Sequence, residues 1–546
     1  MSTASAKPEV FTRKASGLVR VMSPFSAFVY NILTMGLIFP WTYLWAPGAL
    51  PGGKLIWGIL LAMVIEIPIA LVYVWLSTAL PRSGGDYVFQ SRVFGGGVAF
   101  TVVMSGYVIW ILQWVALSGW LLSYLGFAPL FLGLGATMSN AAMTSLGVWF
   151  TGSTGVIITS ILNAFVAMMI LISGFKNYVR FQNVMIAGTL LAFVTMLAVL
   201  FIGDPATSMG KIDSFAQAVS GVPNFVQTAR DASVAAGVDL HPPFSLMATV
   251  LIAPIAWTSL QWATYSAQQN GEIKNARSFN SQMFIIVGSL IFTGILLAIL
   301  AFALEKAVGT EFLYIAGAGY WSGVGESTIS GFWLWPNIIA VALSANPLII
   351  IIIGLGYILN SHQIVHNCYI GMTRVMVAMS LDRLLPESVS KVDEKRHTPA
   401  IAHWVYFLAS IPVILLYNNF RGWAPDWVSL TLGVTFACGY VFVITCLAGA
   451  LLPYRAKDVY ESSPGAAYKI GNIPLVTIIG IIGFLLGGGM ILLFMFDARL
   501  GLTSPLAYRV VFGVLAVSAV WYFLAKNAQK SKGINVDFAF KEIPPE

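Results

Sequence analysis

Ala79 to Gly95 reads ALPRSGGDYVFQSRVFG and directly follows the apolar run Leu55 to Thr78. A proline, two adjacent glycines, two arginines and a tyrosine stand where a hydrophobic helix would emerge into water. Pro81 stops that helix, because its ring clashes with the preceding turn and it has no N–H to donate. Gly84 and Gly85 allow a tight turn with positive φ. Arg82 and Arg92 mark the side of a membrane that stays in the cytoplasm.

Composition agrees with that reading. Of 546 residues 58% are hydrophobic and only 9% charged, with a mean hydropathy of +0.82. A soluble domain carries about 25% charged residues. The solvent for most of this chain must therefore be a lipid bilayer. The net charge of +7 is diffuse, with no basic run, which argues against a nucleic-acid partner. Cys368, Cys438 and Cys446 all fall in apolar runs and read as packed thiols, not a disulfide frame. The first twenty residues are polar and basic, unlike a cleavable signal.

A span needs roughly 20 apolar residues. Twelve candidates occur, near 22–48, 55–79, 97–126, 153–174, 179–203, 243–270, 281–304, 346–371, 400–417, 427–453, 472–496 and 504–525. An even number puts both termini on one side. Of the 29 Lys and Arg, only Lys54, Lys211, Arg230, Lys306, Arg421, Arg499 and Arg509 fall on the other side, so both tails are predicted to be cytoplasmic. Two long outer connections, 204–242 and 305–345, are expected to form short helices over the outer mouth.

Three further blocks carry chemistry. Span 1 contains Thr34-Met35-Gly36-Leu37-Ile38-Phe39-Pro40, where a glycine and a proline four residues on weaken the helix. A break in mid-membrane frees N–H groups that can hold a carboxylate. Span 6 ends in Gln268-Gln269-Asn270-Gly271-Glu272-Ile273-Lys274-Asn275-Ala276-Arg277. After span 8 comes Gly371-Met372-Thr373-Arg374, then Ala378-Met379-Ser380-Leu381-Asp382, Leu385-Pro386 and Thr398-Pro399. The Ala79–Gly95 loop, the end of span 6 and the block after span 8, in this order along the chain, resemble the amino acid–polyamine–organocation (APC) family of permeases over most of the chain.

The resemblance implies an all-α integral membrane protein with 12 transmembrane helices. Its core would be a LeuT-like pair of inverted five-helix repeats, with helices 11 and 12 peripheral. The divisions are then a tail (1–20), a first repeat (21–203), an extracellular loop (204–242), a second repeat (243–453), helices 11 and 12 with their connection (454–525) and a second tail (526–546). Substrate would bind at the broken parts of spans 1 and 6: Thr34, Met35, Gly36, Leu37 and Ile38, and Trp257, Thr258, Ser259, Leu260, Gln261 and Trp262. Only the last residue of the family's G-S-G-like triplet survives, as Gly36. Trp262 stands where the family has a glycine and would narrow or cap the pocket, and Trp257 is a candidate aromatic gate. Tyr107 and Trp110, with Gln113 and Trp114, could form one aromatic wall in span 3.

Coupling candidates are Glu66, the clear intramembrane carboxylate, and in span 8 Ser361, His362 and His366, the two histidines sharing a helix face. Some family members place a lysine in span 5 where this chain has Thr189, so that device is absent. Coupling to H+ or Na+, and uncoupled exchange, stay open. No other cofactor and no metal are called for. The central parts of spans 1, 3, 6, 8 and 10 contain no Asp or Glu, so a cationic substrate would lack a counter-charge.

The expectation is a secondary active transporter of neutral amino acids in the plasma membrane, a symporter or exchanger, monomeric or homodimeric, and not an enzyme. A polyamine or other organocation permease is the alternative within the class. A membrane-embedded enzyme using His362 and His366, or a nutrient sensor, is the alternative outside it.

Overall fold

The computed structural model describes residues 16–37, 41–419, 424–500 and 504–541. Among them, 11 helices are long and apolar enough to cross a bilayer. They are span 2 (Leu55–Ala79), span 3 (Gly96–Thr137), span 4 (Ser153–Ile172), span 5 (Phe175–Ile202), span 6 (Leu246–Gln268), span 7 (Phe279–Ser322), span 8 (Pro347–Leu381), span 9 (Ala400–Asn418), span 10 (Phe436–Arg455), span 11 (Leu475–Phe496) and span 12 (Pro505–Lys530). Span 1 completes the expected twelve. It comes in two pieces, Pro24–Met35 and Trp41–Ala49, of 12 and 9 residues, and neither alone could cross. The chain is an all-α membrane protein.

The break in span 1 has a local cause. Ser23 caps the first piece, its Oγ accepting from the Ser26 N–H at 3.0 Å, and Pro24 opens it, a start suited to helix. Gly36 then turns left-handed at φ +72 and its N–H closes on the Ile32 carbonyl at 3.0 Å, which ends the helix as a left-handed glycine does. Ile38, and Pro40 after it, lie outside the described residues. Span 6 is interrupted differently. It is α-helical from Leu246 to Leu260 and tightens to 3-10 over Gln261–Gln268. Such runs seldom exceed three or four residues, so eight in a row mark a strained stretch. Spans 1 and 6 are thus both interrupted near the middle of the bundle, while π-helical turns interrupt spans 3 and 7 at Met104–Ile109, Leu122–Phe127 and Met283–Gly288.

The glycine turn of Ala79–Gly95 is wedged between spans 6 and 8. The Gly84 N–H donates to the Gln268 carbonyl at 2.8 Å. A Cβ on Gly85 would sit 2.6 Å from Gln268 Oε1, and one on Gly84 2.6 Å from the Ala378 Cβ. Beside it, Met22 pairs with the strand-like exit from span 6, its N–H donating to the Glu272 carbonyl at 3.0 Å and its carbonyl accepting from Lys274 at 2.8 Å. Arg374 in span 8 grips the Glu272 carboxylate through Nε at 2.7 Å and Nη2 at 2.8 Å. Arg92 meets Asp382 at 3.1 Å and also donates to the Ala539 carbonyl at 3.3 Å. The blocks that carry the family resemblance are thus one clasp. It holds both described ends of the chain on one side of the bundle, hereafter the tail face.

The opposite, loop face is covered by helices Pro205–Ser220, Phe225–Ala235 and Pro336–Leu343, so both long connections form the short helices expected of them. Gly309, at φ +77, bends the end of span 7. Span 3 differs from expectation. It continues past Gly126 to Thr137, because Phe127 and Phe131 find a ring partner in Phe150 of the returning helix Ala141–Thr151, at 4.8 and 5.7 Å.

Candidate functional site

A small internal cavity lies where the break in span 1 meets spans 3, 6 and 8. Thr34 lines it from span 1, Ile111 and Trp114 from span 3, Trp262 and Tyr265 from span 6, and Ile364, Asn367 and Cys368 from span 8. The volume open to the centre of a water molecule is about 20 Å³, room for a water or so. An amino acid fits only if the walls move. No acidic or basic side chain lines it.

Polar groups gather on one side of the cavity. Asn367 Nδ2 donates to Thr34 Oγ1 at 2.6 Å, and Thr34 Oγ1 donates to the Tyr30 carbonyl at 2.6 Å. The Asn367 Oδ1 is held by Gln363 Nε2 at 2.6 Å and the Tyr178 hydroxyl at 3.2 Å. Span 8 is thereby tied to the last turn before the break. Rings fill the other side. Trp262 stands edge-on to Trp114 and to Tyr265, each at 5.4 Å between centroids. Its Nε1 donates back to the Thr258 carbonyl at 3.0 Å, a bond that keeps the indole folded over the 3-10 stretch. The Tyr265 hydroxyl and Gln261 Oε1 are buried without a hydrogen-bond partner, which is costly unless something binds there.

Of the residues singled out from sequence, Thr34, Trp114 and Trp262 line the cavity. Gly36 forms the break, with Met35 and Leu37 buried on either side of it. Ile38 lies outside the described residues. Tyr107 is one ring back, 6.3 Å from Tyr265, and Trp110, Ser259 and Leu260 are buried without touching the cavity. Thr258 contributes its carbonyl, and Gln261 starts the 3-10 run. Trp257 points elsewhere: its Nε1 donates to Glu66 Oε2 at 2.5 Å, between spans 2 and 6.

Among the coupling candidates, Ser361 is one turn from Ile364 on the cavity side of span 8. His362 and His366 project from the opposite side. His362 Nδ1 meets Asn163 Oδ1 of span 4 at 2.6 Å, and His366 packs against Tyr178 and Phe181 of span 5. Thr189 is buried in span 5 with its hydroxyl unpartnered. Among the described residues no group of His, Cys, Asp and Glu could hold a metal ion. Tyr265, Ile364 and Cys368 were not singled out from sequence. The signal available was spacing: Ile364, Asn367 and Cys368 recur at i, i+3 and i+4.

Another buried carboxylate, in addition to Glu66, Glu272 and Asp382, lies under the clasp. Asp86, in the short helix Gly85–Phe94, takes bonds from Gln268 Nε2 and Thr445 Oγ1, both at 2.5 Å, and from the Tyr73 hydroxyl. Burial pushes its carboxyl above the usual aspartate range, against the pull of those bonds.

A broken first span and a tightened sixth thus flank an uncharged cavity. A short stretch of 102 residues is 32% identical to "Uncharacterized protein 399" of Sulfolobus islandicus rod-shaped virus 1. The match covers 17% of this chain and about a quarter, 26%, of that protein. The amino acid permease family model matches residues 23–517, nearly the whole length. The chain belongs to the amino acid permease family.

Proposed function

We propose that this permease carries neutral amino acids with apolar side chains, by alternating access, across the plasma membrane, with its tail face toward the cytoplasm. The observation that supports this most is the cavity wall. Two indoles, a phenol, two isoleucines and a thiol surround it, and its polar side-chain groups are neutral: Thr34, Asn367 and the Tyr265 hydroxyl. An apolar side chain gains by leaving water for such a wall. A cationic one would be stripped of water with no carboxylate to receive it.

In this reading the α-amino and carboxylate groups meet the backbone around Gly36 and the strained turn of span 6, near Ser259 and Gln261. The side chain displaces Trp262 and rests against Trp114, Tyr265 and Ile364. Tyr107 and Trp110 back that wall. A substrate shifts the populations of the two open states only by its differential affinity for them, so Trp262, which must move, sets both selectivity and rate. Thr189, Ser361, His362 and His366 have a structural role here. The histidines are on the far side of span 8 from the cavity and bond within the scaffold.

Counterflow in proteoliposomes tests the reading. Vesicles loaded with unlabelled leucine should take up labelled leucine. Excess isoleucine, methionine or phenylalanine should compete, and arginine and putrescine should not. Stronger competition by arginine or putrescine would replace this reading with the organocation one.

A further inference from the structure

Glu66 is fully buried in the middle of span 2. One oxygen accepts from Trp257 Nε1 at 2.5 Å and the other has no hydrogen-bond partner. Among the described residues no Lys, Arg or His forms an ion pair with it. The other groups around it are known. Span 6 presents Trp257, and span 10 presents the Cys446 thiol, which feels the charge of both Glu66 and Asp86. Span 11 has no titratable residue. Span 7 offers Glu305, and Lys54 stands just before span 2, the two near each other at the loop face. No cation reaches Glu66 from any of these elements. An ionised carboxylate at this depth with a single donor is strongly disfavoured, and a neutral acid is not.

Trp257 also connects Glu66 to the cavity. The indole N–H can only donate, so its bond to Glu66 weakens when the carboxylate takes a proton. The next residue, Thr258, supplies the carbonyl that holds Trp262 at 3.0 Å. The six residues Trp257 to Trp262 of span 6 therefore join the Glu66 carboxyl to the cavity's movable wall.

We propose that Glu66 is a proton-binding site that couples substrate movement to a proton gradient. This rests on the transport reading above. A proton from water on one side neutralises Glu66 and permits spans 2 and 6 to close dry around it. When span 6 moves and water enters from the other side, the carboxyl ionises and the proton leaves to that water. One proton crosses with each substrate, and the carboxylate is regenerated.

The test uses the full chain in proteoliposomes, as wild type, Glu66→Gln, Glu66→Asp and Trp257→Phe. Labelled leucine counterflow without a gradient reports carriage. Accumulation under an imposed pH gradient, with a pH-sensitive dye inside, reports coupling. For one proton per neutral substrate, a gradient of about one pH unit supports roughly tenfold accumulation. Wild type should show both. Glu66→Gln should keep counterflow and lose both the gradient-driven accumulation and the dye signal, and Glu66→Asp should retain them. Trp257→Phe should keep coupling with a shifted pH profile. If Glu66→Gln loses counterflow as well, Trp257→Phe decides: an unshifted profile overturns the proposal. Gradient-driven accumulation by Glu66→Gln, or a wild type that counterflows but ignores the gradient, also overturns it and leaves the carrier reading intact. A wild type without counterflow overturns both.

Discussion

The tail face is closed by charge and the loop face by rings. At the tail face two buried ion pairs, Arg374–Glu272 and Arg92–Asp382, and the Asp86 cluster bind spans 2, 6, 8 and 10 to the two ends of the chain. At the loop face Trp41, the first residue after the break, lies 6.0 Å from Trp120 and 5.4 Å from Trp335. Tyr320 and Trp333 fill in around them, 5.1 Å apart. The tail-face seal rests on paired charges that are costly to separate once buried, and the loop-face seal on buried aromatic area and ring packing. The two seals therefore answer to different perturbations, and substitutions can separate them.

The largest effect should come from the ionic side. Arg374→Ala leaves Glu272 buried without its partner, a loss of about 3–5 kcal/mol, and the melting temperature of the purified protein should fall accordingly. Replacing both partners by apolar residues of similar size should recover much of the loss. A single substitution as mild as the double one would mean the clasp is not what holds the tail face.

Trp335→Ala should come next. Deleting a fully buried indole costs about 3–5 kcal/mol, and part of that is recovered if the surrounding rings collapse into the space. The functional signature is a faster transition to the loop-face-open state, read as quicker modification of a cysteine introduced beneath it. An unchanged rate would deny the rings a sealing role.

Asn367→Ala removes the bond to Thr34 at the break. A lost buried hydrogen bond costs about 1–3 kcal/mol, and leucine counterflow should show a raised KM with little change in maximal rate. A change in rate alone would place Asn367 in the moving machinery instead.

The smallest effect concerns pH. Because burial raises the Asp86 carboxyl in the folded, closed state, that state binds the proton more tightly than the unfolded chain does. The stabilisation is complete below the unfolded aspartate value and is lost as pH rises through the raised one. Melting temperature should decline slightly over that window in wild type. Asp86→Asn should remove the decline, and a decline that survives it would assign the dependence to another group.

The sequence reading went furthest where chemistry is local. Pro81, Gly84 and Gly85 announced a turn because backbone geometry demands those residues, and Gly36 announced a break for the same reason. The charged residues Arg92, Glu272, Arg374 and Asp382 were visible as motif members, but that they meet in one clasp depends on helices folding back together. Assigning helix faces was harder. Trp257 and Trp262 are five residues apart, and the tightening at Gln261 falls between them, so periodicity alone could not separate the one on Glu66 from the one on the cavity. Cys368 read as a packed thiol from its apolar run. It is packed, but against the cavity.

That thiol offers the most direct test of whether the space between spans 1, 3, 6 and 8 is the transport site. With Cys438 and Cys446 replaced by alanine, Cys368 is the remaining cysteine of the three in the chain. Its rate of reaction with a small thiol reagent can be followed in proteoliposomes with and without leucine. Leucine should slow the reaction in proportion to its occupancy, and arginine should not. Equal rates with and without any amino acid the protein carries would contradict the assignment.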